Sequence, residues 1–436
     1  MDTISILSYI ALFSVYFYTM IKSRTFMFFC LILFFGVYYI FPPLIYFTLI
    51  PKNDYLTISG EVIFLEKYLT TENILTINLL SILFILLLKI IVPNKIPEQV
   101  PIKIKDLAYK NKRKIKKITI LILILTLLIN FYLIYQSGGL YNFYYGGTWH
   151  SRYEGGLGQT IIMNLKSLLP CFGIALCALL STNRRNTLIA IIFLILFLIS
   201  FMYGGSNRKF ALLGVFIYFS IQIDLLANKK AKKYFISGIF LLFFLFQFLL
   251  ILRSSNFSLD AILSALNKIS DVIIISEPIG TYSLILKLTN SILTNDLPLG
   301  YFYDAFKYLL LPLSPWLDYS QPNIAKTLGF YINGQDNFTF FPTIIFEGIY
   351  NGHVIGAVIF YFIYAIITRK VTLRLYLSNN LSSYIYWVII YNVCIIQLIR
   401  GYLSNTIAYF LVVSVIYPFL YLCLSSKYKV YDKKIH

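Results

Sequence analysis

Eleven stretches of this chain run for about 20 residues almost without charge, the length at which a helix crosses the hydrocarbon of a bilayer. They are Thr3 to Ile21, Thr25 to Ile50, Leu75 to Val92, Ile118 to Tyr135, Thr160 to Ser181, Thr187 to Tyr203, Phe210 to Ala227, Tyr234 to Leu252, Phe341 to Ile367, Leu381 to Leu398 and Tyr402 to Leu424. A membrane barrel would instead alternate polar and apolar residues over about ten positions. The expected fold is therefore all-α, a polytopic membrane protein of about 11 transmembrane helices, within a range of roughly 10 to 13. Only 13% of the residues are charged, against about 25% in soluble proteins. The first run begins Met1-Asp2, has no basic flank and no A-x-A-like site, so a cleaved signal is not expected.

The formal net charge of +19 could point to nucleic acid, but the cations sit in the wrong places for it. They collect at Lys22 and Arg24, Lys103 to Lys117, Arg184-Arg185, Lys229 to Lys233, Arg369 to Arg374 and Lys427 to Lys434. Every second connection is thus basic, as the positive-inside rule requires of the cytoplasmic side. The partners implied are membrane lipids and no nucleic acid. Anionic lipid at the cytoplasmic leaflet attracts such residues by about 1 kcal/mol each. The other connections, Pro51 to Ile74, Gln136 to Gln159, Gly204 to Lys209, Arg253 to Phe340 and Ile399 to Gly401, then face outward, with the N-terminus outside and the C-terminus inside.

One outer connection is far longer than a turn between helices requires. We divide the chain into transmembrane helices 1–8 over 1–252, a large extracytoplasmic loop over 253–340, and helices 9–11 with a cytoplasmic tail over 341–436. Loops beyond about 15 residues usually carry function or are disordered, and the aromatics, carboxylates and prolines of this one suggest a folded cap. Short helices are expected over Leu259 to Leu286 and Tyr301 to Leu311, the second ended by Pro312, Pro315 and Trp316. No internal repeat of the kind that builds many transporters is visible. Cys30, Cys171, Cys177, Cys394 and Cys423 lie in or beside apolar runs without CxxC spacing, so neither disulfides nor a metal site is expected.

Outer arginines run against the positive-inside trend, and four stand out: Arg152, Arg208 with Lys209 beside it, Arg253 and Arg400. A guanidinium offers phosphate two parallel hydrogen bonds, which lysine cannot match. Each arginine could equally snorkel or pair with a carboxylate such as Glu154. Gly204-Gly205-Ser206-Asn207-Arg208-Lys209 allows close backbone approach to a ligand, or is an ordinary hairpin. His150 and Arg152 lie in an aromatic stretch suited to stacking sugar rings, or in an interfacial aromatic belt. Glu347, Tyr350, Asn351 and His353 enter the outer end of an apolar run, where ionisable groups are costly enough to suggest function. Gly352 and Gly356 also make a GxxxG spacing, whose plain meaning is close helix packing. Glu347, His150 and His353 are the competing general bases, with Asn351 and Tyr350 as substrate contacts.

The many helices, the large outer loop ending in Pro342-(x)4-Glu347-(x)2-Tyr350-Asn351-Gly352-(x)3-Gly356, the outer Ser206-Asn207-Arg208 and the outer arginines resemble the Wzy-type O-antigen and capsular polysaccharide polymerases. The resemblance implies a membrane glycosyltransferase of the GT-C kind. It would transfer a growing glycan from undecaprenyl pyrophosphate to a sugar hydroxyl of the incoming undecaprenyl-pyrophosphate-linked oligosaccharide. It implies no metal or other cofactor, and a chain-length regulator protein as a further partner. Arg208 and Arg253 first, then Arg152 and Arg400, would hold the leaving pyrophosphate. An O-antigen ligase is the nearest enzymatic rival. A flippase is the rival of another class, disfavoured by the almost wholly apolar midsections of Ile118 to Tyr135, Thr187 to Tyr203 and Tyr234 to Leu252.

Overall fold

A computed structural model of the chain describes residues 2–49, 56–58, 61–63, 68–136, 138–139, 156–181, 184–202, 208–228, 230–235, 237–238, 277–302, 324–333 and 343–424. Apart from a two-stranded hairpin, β1 (Leu56–Ile58) with β2 (Glu61–Ile63), the described elements are helices. In chain order they are α1 (Thr3–Ile21), α2 (Phe26–Tyr39), α3 (Phe41–Leu49), α4 (Thr71–Ile91), α5 (Gln99–Lys110), α6 (Lys112–Gln136), α7 (Gly156–Leu180) and α8 (Arg184–Met202). They continue with α9 (Arg208–Ser220), extended by a π-turn (Ile221–Leu225), then α10 (Glu277–Leu293), α11 (Ile324–Asn333) and α12 (Ile344–Tyr376). The last are α13 (Leu381–Ile389), extended by a π-segment (Ile390–Ile396), and α14 (Leu403–Leu424).

Five helices among the described residues are long and apolar enough to cross a membrane: α1, α4, α6, α12 and α14. The count of eleven is thus met only in part. The run Tyr234 to Leu252 lies mostly outside the described residues. Five further apolar helices are shorter, among them Phe26–Tyr39 and Leu381–Ile396. The run from Thr25 to Ile50 is not one helix. It breaks at Ile40, just before Pro42-Pro43, because a proline cannot supply the backbone donor of the next turn and biases its predecessor away from helix. At 1.5 Å per residue, α2 reaches only about 21 Å and stops short of the roughly 30 Å of hydrocarbon.

Hydrogen bonds gather the basic connections at one end of the bundle. Asn94, just past α4, accepts the Arg24 and Thr25 backbone N–H groups at 2.9 and 3.1 Å. Buried Asp224 at the end of α9 accepts those of Phe26 and Met27, both at 2.7 Å, so a carboxylate sits against the positive end of α2. Lys103 on α5 donates to Asn379 past α12 at 2.6 Å. At the opposite end Asp2 caps α1 and accepts from Thr71, which with Ser5 holds its carboxyl down at about 2.

A belt of exposed apolar side chains surrounds the bundle, including Leu128 and Phe131 on α6, Ile355 on α12 and Val415 and Leu422 on α14. A surface this apolar is what lipid contact requires. Inside, glycines let helices close up. A Cβ at Gly173 of α7 would overlap the fully buried Phe197 ring of α8. Gly173→Ala is therefore expected to destabilise the protein by about 1–3 kcal/mol, the usual result of overpacking, read as a lowered unfolding midpoint in detergent.

The segment 253–340, expected to be one large loop, sends a helix into the bundle. α10 runs past Leu286 to Leu293, is buried from Thr281 to Leu286, and bonds through Tyr282 to Tyr9 of α1 at 2.7 Å. Its Asn290 accepts from Asn73 of α4 at 3.1 Å. An amphipathic cap helix would have kept one face wet; here Thr281 to Leu286 are all buried. The expected helix over Tyr301 to Leu311 lies outside the described residues beyond Phe302.

Candidate functional site

The apolar run from Phe341 to Ile367 is not a straight span either. Gly352 (φ −163°, ψ 26°) and His353 (φ 57°, ψ −159°) leave helical geometry, and α12 folds back on itself there. Residues 344–351 form a short arm antiparallel to the start of 354–376. The Tyr361 hydroxyl donates to the Ile345 carbonyl at 2.9 Å, whereas 16 positions of straight helix would separate them by about 24 Å. Gly348 makes the contact possible: a Cβ there would lie 2.9 Å from the Ala357 Cα. The close packing thus belongs to Gly348 with Gly356 and Ala357, and not to Gly352, which has nothing within 4 Å of a built Cβ.

The arm begins inside the bundle, so its first N–H groups need protein partners. Tyr39, at the end of α2, donates to Thr343 Oγ1 and accepts the Ile345 N–H at 3.1 Å. Ile344 donates to the Ile399 carbonyl at 3.1 Å. Stacked and edge-on rings, Tyr39–Phe35, Phe35–Phe84 and Phe84–Tyr361, tie this start to α2, α4 and α12.

One turn along the arm, Glu347 is 3% exposed. Its two oxygens receive the Leu403 backbone N–H at 2.8 and 3.0 Å. Leu403 opens α14, so Glu347 is an N-cap supplied from another helix, with its charge at the positive end of the dipole. Asn351 donates to the Glu347 carbonyl at 2.9 Å and accepts the Phe302 N–H at 2.7 Å. The Tyr350 carbonyl accepts from Gly300 at 2.9 Å. A Cβ at Gly300 would overlap the Tyr350 ring. Residues 300–302 are thereby strapped to the arm, and Phe302 packs on Phe360 with centroids 5.3 Å apart. Tyr301 (φ 48°), Phe302 (φ 57°) and His353 (φ 57°) all hold left-handed backbone beside this junction. Strain of that kind concentrates at functional sites.

Glu347, Tyr350 and Asn351 are buried, while His353 at the fold-back and Arg400 are partly exposed. Arg400 belongs to the turn that feeds α14, three residues before Leu403, and its N–H donates to the Gln397 carbonyl at 3.1 Å. Arg208 and Lys209 open α9, whose Phe210 packs edge-on against Tyr409 of α14 at 5.3 Å. Glu347, Tyr350 and Asn351 therefore share one network with Gly300, Phe302 and Leu403, while His353 follows it in the chain at the fold-back and Arg400 precedes Leu403 by three residues. His150, Arg152 and Arg253 lie outside the described residues.

Some residues of the junction escaped the sequence reading. Gln397 (0% exposed) and Ser404 (1%) flank the cap, and Gln397 Nε2 and Ser404 Oγ have no partner among the described residues. Lys166 of α7 is also buried. An amide and a lysine inside apolar runs were the available signals. Among the described residues no group of three or more His, Cys, Asp or Glu is placed to hold a metal, and all five cysteines are free thiols.

Comparison with family models, with curated proteins and with solved structures gives no match.

Proposed function

We propose that the protein is a membrane glycosyltransferase that polymerises undecaprenyl-pyrophosphate-linked oligosaccharide repeat units, in the manner of the Wzy-type polymerases it resembles. The observation that carries this reading is the junction itself. Glu347, six residues before His353, holds the Leu403 N–H, three residues after Arg400, so a break in one apolar helix and the turn before another are joined by a buried polar contact.

In the proposed reaction the acceptor hydroxyl attacks the anomeric carbon of the donor glycan. The bond from that carbon to the pyrophosphate oxygen breaks, and the hydroxyl proton passes to a base. Charge develops on the departing pyrophosphate, and donors aimed at developing charge are usually the largest catalytic contribution. Arg208, Arg253, Arg152 and Arg400 supply them, with Lys209 in support. His353 or His150 serves as base. Glu347, engaged on both oxygens with Leu403, acts by fixing the start of α14 and the turn that carries Arg400.

Arg208→Ala and Arg253→Ala are each expected to abolish polymerisation, and Arg208→Lys to restore little of it, because the bidentate fork is lost. Glycan length on gels of reconstituted variants checks this, and near-normal ladders in either alanine variant remove that arginine from the pyrophosphate clamp. A flippase for the same lipid-linked sugars is the second reading. What favours it is the arm folded back inside the bundle, since half-helices frame the binding sites of many transporters.

A further inference from the structure

The lipid-facing ridge of α6 runs straight into a set of cations. Ile120, Leu121, Ile124 and Leu128 are exposed on the belt that meets lipid. Steps of three or four residues back along the helix from Leu121 and Ile120 lead to Lys117, Lys116 and Arg113, all exposed. Such steps keep to one face. None of these three cations has a hydrogen bond or ion pair among the described residues. A face that is apolar along the hydrocarbon and cationic at its end matches a phospholipid, whose acyl chain and phosphate follow one another in the same order.

The cations stand on a rigid corner. Asn111 is the one residue between α5 and α6. Its backbone N–H and its side-chain amide both donate to the Leu107 carbonyl, at 3.1 and 3.0 Å, and its own carbonyl accepts the Ile115 N–H at 2.9 Å. This buried residue therefore ends one helix and begins the next. α5 is fastened to the bundle by its buried face, Val100, Ile104, Leu107 and Ala108, and by the bond from Lys103 to Asn379. Its outer face shows Ile102 and Tyr109, 65% and 73% exposed, with exposed Lys105 between them. Large apolar side chains alternating with lysine suit a helix that lies in the membrane interface. Residues 99–117 contain eight Lys or Arg and a single acid, Asp106, so the corner complements an anion.

We infer that the corner of α5 and α6 binds an anionic phospholipid, its phosphate held across Arg113, Lys116 and Lys117 and an acyl chain laid along Ile120, Leu121 and Ile124. The bound lipid ties α5 to the membrane surface and fixes the depth at which α6 sits. A nucleic acid or a free phosphate would use the cations and leave the apolar ridge without a role. The site does not depend on the proposed transferase reaction.

The test is native mass spectrometry of the full chain in neutral detergent, titrated with phosphatidylglycerol and separately with phosphatidylcholine. Wild type is expected to bind phosphatidylglycerol about a hundredfold more tightly, three cations contributing about fivefold each. Arg113→Gln, Lys116→Gln and Lys117→Gln together are expected to remove most of that preference. Lys22→Gln, Lys230→Gln and Lys233→Gln together take the same charge from exposed positions that share no ridge, and are expected to keep it. A wild-type preference below about threefold overturns the proposal, as does an equal loss in the two triple variants, which would make the attraction diffuse. Displacement of the lipid by an equal concentration of inorganic phosphate also overturns it, since the site would then be one for free anions. Should the first triple variant fail to fold, Lys117→Glu alone is expected to weaken phosphatidylglycerol at least about tenfold, and unchanged affinity overturns the site.

Discussion

Glu347→Leu is expected to lose about 1–3 kcal/mol of stability, the cost of leaving a buried backbone donor without its acceptor. The carboxylate is buried and gives both oxygens to one backbone N–H at the start of α14. Leucine leaves that N–H without a partner in a place water does not reach freely. Glu347→Gln keeps an acceptor and loses only the charge, which costs about 1–2 kcal/mol at a partly buried helix terminus. Thermal unfolding in detergent should therefore rank wild type above Gln and Gln above Leu. Activity should fall in the same order if Glu347 acts by holding the turn. A Gln variant as stable as wild type but without turnover would instead make Glu347 the base.

Gly348→Leu should be comparably damaging through packing. Alanine at a helical glycine gains about 1 kcal/mol in propensity, while overpacking costs about 1–3 kcal/mol. With the Ala357 Cα only 2.9 Å from the built Cβ and the Tyr361 ring 3.0 Å from it, backbone has to move. For Gly348→Ala the clash outweighs the propensity gain, and a net loss of up to about 2 kcal/mol is expected. A leucine cannot fit between the arm and 354–376, so the fold-back must open and Glu347 must leave Leu403. Gly352→Ala, with nothing within 4 Å, is the control and should stay within about 0.5 kcal/mol of wild type. Equal midpoints for Gly348→Leu and Gly352→Ala would contradict the folded-back arm.

The features legible in the sequence are those set locally. Apolar runs showed an all-helical membrane protein but not how many helices cross, and the spacing of Lys and Arg pointed to the end of the bundle at which the described basic connections meet. Glu347 was visible as an ionisable group in an apolar run, and Tyr350, Asn351 and His353 came with it. Its partner was not visible, because Leu403 lies 56 positions away and acts through its backbone. The fold-back at Gly352–His353 was hidden for a related reason. No proline marks it, and a uniformly apolar run looks the same whether straight or bent. Contacts from Tyr361, Ala357 and Phe302 decide it. α10 read as part of an amphipathic cap over Leu259 to Leu286, yet Tyr282 and Asn290 bond to Tyr9 and Asn73, more than 200 positions earlier.

Reconstitution with a defined lipid-pyrophosphate-linked repeat unit tests the central claim most directly. Purified full-length protein, given that substrate without nucleotide or added metal, is predicted to yield a ladder of glycan lengths on a gel, and Arg208→Ala to yield none. Single repeats left unchanged by a folded, monodisperse sample would contradict the polymerase account. Movement of those repeats across the bilayer in the same liposomes would then identify a flippase.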